Sequence, residues 1–487
     1  MAATGVLPFV RGIDLAHNDF SGYKFPENVA DMTGLRWLRL SESKLMHLPE
    51  ELGNLKKLET LQMKKNQLES IHGKLATLPC LRVINCKDNQ ITKEGIPRDI
   101  FDLEELSVLD LSHNQLEAVP SALEHARNML VLNLSHNQIE SIPSEVFINM
   151  TDLIQLDVSD NRLESLPPQL RRLANLQILV LNNNPLVQAQ LRQLPALSSL
   201  QTLHMRNTQR TLSNFPAALE SLHNLTDVDL SRNDLPQIPE SLYKLSSLKR
   251  LNLSDNMIKE ISLMADTWTK LEFLNISRNQ ICTLPTSLTR ITSLKKVYAN
   301  NNQLYFEGIP AGIGKLHNLE VFSAAYNNLE MIPEGLCRCG KLKRLILNNN
   351  QLVTIPDAHY FLTDLELDVR DNPNLIFPPR PPEAVEPSLE FYKVNFDINV
   401  QLRKAGANVP AQQDHSPAHR DPIARKLRLR NRRRDSEDSA GADSVLKGMR
   451  DVAKDKNTKK KILAAENDEK QEIRSASITA AILITRL

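Results

Sequence analysis

His113 and His136 lie 23 residues apart inside one recurring phrase, "LDLSHNQLEAVP" returning as "LNLSHNQIESIP". Two imidazoles on neighbouring strands could share a metal ion, yet zinc sites draw on three or four protein ligands and no third is spaced to join them. The pattern favours two solvated side chains. Cys337 and Cys339 also lack companions for a metal site, and Cys86 falls on an apolar position where a thiol packs as a small hydrophobe. The chain contains no G-x-x-x-x-G-K-S/T, G-x-G-x-x-G, H-E-x-x-H, G-x-S-x-G or C-x-x-C. Phosphate-cradling loops, zinc-activated water, serine nucleophiles and redox dithiols rely on such spacings, so neither an enzyme nor a cofactor is expected.

The elements that carry these residues repeat. An Asn recurs at 18, 66, 89, 114, 137, 161, 184, 233, 256, 279, 302, 327, 350 and 372, with Ser43 and Thr208 in its place twice. These mark sixteen units spaced 22 to 25 residues apart, each with the pattern L-x-x-L-x-L-x-x-N, the signature of leucine-rich repeats. In "LSVLDLSHN", Leu106, Leu109 and Leu111 should point inward while Val108, Asp110 and Ser112 alternate outward on a short strand. The Asn can serve backbone groups left open where the chain turns away. Segments such as "LPPQLRRLANL" predict short helical or 3₁₀ stretches on the opposite side. The fold class is therefore α/β, a right-handed solenoid whose concave wall is a parallel sheet. Its apolar core runs on from repeat to repeat, since no single unit could bury its leucines alone. The last unit is one residue short, which predicts an imperfect final strand in which Leu365 and Leu367 cannot both keep their places. Trp37 should pack beneath residues 1–9.

Without chemistry of its own, a solenoid offers a long curved surface to another macromolecule. The outward positions of the first half are mostly acidic or neutral, with Asp110, Asn133, Asp157, Asp160, Asp227 and Asp229. Later repeats mix basic, aromatic and apolar groups: Arg250, Phe273, Arg278, Lys296, Tyr298, Val321, Tyr326, Arg344 and Ile346. Exposed aromatics beside arginine have the composition of an interface hot spot. Protein partners are expected on this face, and nucleic acid is not.

Residues 1–380 read as the repeat domain, 381–407 as a C-terminal cap and 408–487 as a basic, largely disordered tail. Between 421 and 461 there are fourteen Lys and Arg against seven Asp and Glu, so the rest of the chain carries about −6 in a total of +1. Arg425, Lys426, Arg428, Arg430, Arg432, Arg433 and Arg434 form a nuclear-import candidate, with a plain linker as the alternative. "MAATGVLPFVRGIDL" lacks a basic start and a long apolar run, so a cytoplasmic and nuclear location is expected. The closing "SASITAAILITRL" is too short to span a bilayer.

The irregular phrases are the informative ones: "TGVLPFVRGIDL", "FPENV", "NMLVLNLSHNQIESIP", "LQTLHMRNTQRT", "CRCGKL" and "VLKGMRDVAKDKN". Through them the chain resembles the members of the gelsolin superfamily that join a leucine-rich repeat half to gelsolin-like repeats. The resemblance covers nearly everything to about residue 461 and implies an actin-remodelling regulator and transcriptional coactivator. It also implies leucine-rich-repeat-interacting proteins and Ras-type GTPases as partners, with actin association indirect or weak, because actin is bound mainly by the gelsolin-like half, which this sequence lacks. After "KNTKKKI" the sequence leaves the family pattern, as an alternative transcript, a truncated product or a faulty gene model would. The competing expectations are a nuclear regulator acting through its basic tail and a truncated competitor of the full-length protein.

Overall fold

The computed structural model describes residues 4–22, 25–72, 74–187, 191–362, 364–381 and 392–393. The repeats lie in one compact unit, within Met1–Val409. Each contributes one three-residue strand, and the strands pair in parallel with their sequence neighbours from Gly12–Asp14 to Glu366–Asp368, each in the register that the Asn spacing demands. Tyr392–Lys393 adds a further parallel pairing on Leu367 and Asp368. The opposite side is built from 3₁₀ turns, often entered through a proline whose fixed φ suits the start of a helix, and one α-helical turn, Glu240–Tyr243.

Packing follows the leucines. Leu106, Leu109 and Leu111 are buried with their counterparts in a single cluster from Phe20 to Phe377. Ser112 departs from its expected outward place: it is 1% exposed, and its hydroxyl turns back to donate to Asp110 at 2.6 Å. The final strand is regular. Leu365 and Leu367 are both buried, because Leu365 takes the inward place one residue late and pairing with Arg344–Ile346 resumes in register. Trp37 lies over the first strand. Its indole occupies the space beside Gly12, where an added Cβ would meet Cε2 at 1.8 Å, so only glycine fits.

The Asn ladder clamps the units together. Asn137 Nδ2 donates to Leu111, Leu134 and Ser135 carbonyls at 3.0, 3.0 and 3.1 Å, while its Oδ1 accepts from the Leu116 N–H at 3.0 Å. Such bonds are obligatory where backbone is buried away from water. Thr208 keeps one arm, donating to Met205 O at 2.9 Å. Arg210, two residues on and fully buried, ties a different set of groups: its guanidinium reaches the carbonyls of Leu186, Thr208 and Asn214. The irregular "NTQRT" phrase thus adds a buried charged tie beside a rung that has lost one arm.

Candidate functional site

The residue before each ladder position, from His17 to Asp371, has a left-handed backbone in all sixteen units. Asn, Asp and His tolerate that conformation better than other non-glycine residues. They fill eleven of the sixteen places, and this accounts for the "SHN" phrases without a metal. His113 and His136 stack with ring centroids 3.9 Å apart and 13° between planes. Asp88 lies 3.7 Å from one ring and Asp160 3.3 Å from the other. Burial and the neighbouring His136 hold the His113 imidazole below the ordinary histidine range. The same column joins Glu42 to His17 and Lys65, and Asp255 to Arg232 and Arg278, so it forms a rim of cross-repeat polar pairs.

Arg278 and Tyr326 belong to this rim, each with φ of 55°, and not to the sheet face where alternation placed them. Asp160 joins them there. A residue in a left-handed turn leaves the two-residue period, and that breaks the outward count. Val321 is on the sheet but buried at 8% exposure, so it offers a partner little surface.

Strand register brings the remaining candidates together. Asp227, Arg250, Phe273, Lys296, Val321, Arg344 and Glu366 form one row across successive strands. Arg250 bridges two neighbours: Nε lies 3.4 Å from Asp227, and the guanidinium carbon sits 4.6 Å from the centre of the Phe273 ring. Such a cation over an aromatic face is held electrostatically. Phe273 and Tyr298 pack with centroids 5.6 Å apart. Arg344 pairs with Glu366 at 3.1 Å. Arginine and aromatic groups here form one pre-ordered cluster, with rotamers already fixed by neighbours before any partner arrives.

The earlier repeats add an apolar row to their acidic and neutral positions. Val83, Val108, Val131 and Ile178 share the same row, separated only by Gln155, and Val180 stands beside them. Next to this apolar line, Asp110 accepts from Ser112 N at 3.0 Å and Asp157 from Ser159 N at 3.0 Å. Burial pushes the Asp157 carboxyl above the ordinary carboxylate range. His204 is opposed by burial, yet Asp227, 3.4 Å away, and the more distant Asp229 and Asp157 lift it above the usual imidazole range. Sequence reading missed the valine row because its members are ordinary strand formers, and only register aligns them. The basic run Arg425, Lys426, Arg428, Arg430, Arg432, Arg433 and Arg434 lies outside the described residues.

Among the described residues no helix is long and apolar enough to cross a membrane, and no three His, Cys, Asp or Glu converge as metal ligands. Leucine-rich repeat models match residues 127–186, 246–290 and 105–126. Flightless-1 homologues are similar throughout: the human one is 58% identical over 463 residues, and the Caenorhabditis elegans one 46% over 457. These alignments take in 94% and 93% of this chain, which spans 36% of the length of either relative. Among solved structures, a Leptospira interrogans LRR protein is 26% identical with a TM-score of 0.62, over 81% of this chain and 97% of its own. The plant peptide hormone receptor RGFR1 in complex with RGF2 shares the fold at 22% identity and a TM-score of 0.57, over 76% of this chain and 69% of its own.

Proposed function

We propose, for a chain that belongs to the leucine-rich repeat proteins and is related over 94% of its length to flightless-1 homologues, that the concave sheet recruits protein partners to a regulator of actin remodelling and transcription. The observation that carries this reading is the Arg250–Phe273–Tyr298 cluster, an aromatic pair with a guanidinium stacked on it in the middle of a long, rigid sheet. Leucine-rich-repeat-interacting proteins and Ras-type GTPases are the partner classes. Actin association would be indirect, and the location both cytoplasmic and nuclear, resting on the basic run of the tail.

Isothermal titration of a purified Ras-type GTPase and of a purified leucine-rich-repeat-interacting protein tests it. Phe273→Ala/Tyr298→Glu should weaken at least one complex about tenfold, the effect of losing some 1.4 kcal/mol at a hot spot. Two measurable affinities that the double variant leaves unchanged would remove the concave cluster as the docking site.

A further inference from the structure

Asp110 and Asp157 carry a charge that the fold does not require. What the backbone needs at this place in the repeat is an acceptor for the N–H two residues on, and Asn133, on the strand between them, provides it equally well, taking the Ser135 N–H at 3.0 Å. Asn252 and Asn275 do the same in later repeats, at 3.2 and 3.0 Å. Only one oxygen of each carboxylate is used in this way. The second oxygen of Asp110 and of Asp157 has no hydrogen bond among the described residues, and both face the concave side beside the line of Val108, Val131, Ile178 and Val180. Burial already disfavours the charged form of Asp157, so the carboxylate is costly there, eased only by the imidazole of His136, and no hydrogen bond or ion pair among the described residues serves its second oxygen.

We infer that this part of the wall, in repeats around Val108–Asp110 to Ile178–Val180, docks a basic amphipathic helix, laying its apolar stripe on the valine line and its cations on the two aspartates. The inference rests on the concave-docking reading and gives it a partner chemistry. Spacing selects the helix. The two aspartates are two strands apart, about 9.6 Å at the usual strand separation. An extended chain places same-face residues about 6.7 or 13 Å apart, neither of which fits. A helix places residues i and i+7 about 10.5 Å apart on nearly the same face. The valine line spans three strand steps, about 14 Å, or roughly ten helical residues. Carboxylates on an apolar wall repel a phosphate backbone and attract Lys and Arg, which also lay their methylene stems on apolar surface.

The probe is a fluorescein-labelled synthetic helix of about 21 residues with Arg at every seventh position and a Leu stripe alongside, titrated against the full chain by fluorescence anisotropy. A twin peptide carries Glu in place of Arg. The Arg helix should bind at least about tenfold tighter than its twin, and Asp110→Asn/Asp157→Asn should erase most of that difference while the circular dichroism spectrum stays unchanged. Equal affinity for the two helices, or affinity indifferent to the double substitution, overturns the inference. If the purified partners still respond to Phe273→Ala/Tyr298→Glu in that event, the scaffold reading stands and only the helix chemistry falls.

Discussion

Replacing Asn137 by Ala removes four hydrogen bonds at once, and a count of bonds would predict collapse of the neighbouring repeats. The ladder geometry predicts a smaller loss. Leu111 O keeps the amide of Asn114 at 3.0 Å, Leu134 O keeps that of Asn161 at 2.9 Å, and Ser135 O keeps the His113 N–H at 2.9 Å. Only the Leu116 N–H, given to Asn137 Oδ1, is left buried without a partner. One orphaned buried donor costs about 1–3 kcal/mol. Asn137→Asp should cost more at neutral pH, because a carboxylate would face three carbonyls; its folded-state pKa would be raised, so stability should return as the pH falls. The assay is equilibrium urea unfolding, with the slope unchanged and the midpoint lowered, together with hydrogen exchange at the Leu116 amide. Asn372→Ala is the contrast. There Val369 O has Asn372 as its only donor among the described residues, and the Leu352 N–H depends on the same side chain, so two groups are orphaned. An unchanged midpoint for Asn137→Ala, or a loss above about 5 kcal/mol, would refute the argument that adjacent rungs share their carbonyls.

Two further outcomes follow from buried charge. Arg210→Lys should destabilise the protein by about 2 kcal/mol and speed hydrogen exchange within 207–216, because one ammonium cannot match a planar fork that reaches three carbonyls; wild-type exchange in that segment would disprove that the guanidinium holds this loop. Burial pulls that guanidinium down to about 10, which leaves it charged at any physiological pH. The Asp157 carboxyl is held above its unfolded value chiefly by burial, so folding favours its protonated form and its penalty is relieved as the pH falls through the folded pKa. Asp157→Asn should therefore raise the melting temperature at neutral pH, with the gain shrinking at mildly acidic pH, and a variant less stable than wild type at pH 7 would count against this.

The repeat register was legible because it rests on inward leucines whose period is set by the strand and on an Asn whose amide has no simple replacement. The concave rows were legible only in part. Alternation carries a reader correctly through Arg250, Phe273, Lys296 and Tyr298, and fails at Arg278 and Tyr326, where left-handed backbone ends the two-residue period. Val321 lies on the sheet face yet is buried, since facing outward does not ensure exposure on a crowded concave wall. Arg210 was hidden for another reason: a charged residue in a loop phrase reads as solvated, and only coordinates show three carbonyls around it. The short final unit misled in the opposite direction, because a one-residue deletion before the strand can be taken up by the turn, as Leu365 shows.

The column of left-handed residues also limits how the rim can vary over evolutionary time. Val, Ile and Thr are strained in that backbone, so substitutions at places such as His113 or Asp160 are drawn from a short alphabet of polar types and the occasional long side chain. The edge of the trough therefore stays wet whatever the wall acquires. New binding preferences can be tried on the sheet, one strand position at a time, without the rim turning sticky and drawing copies of the protein together.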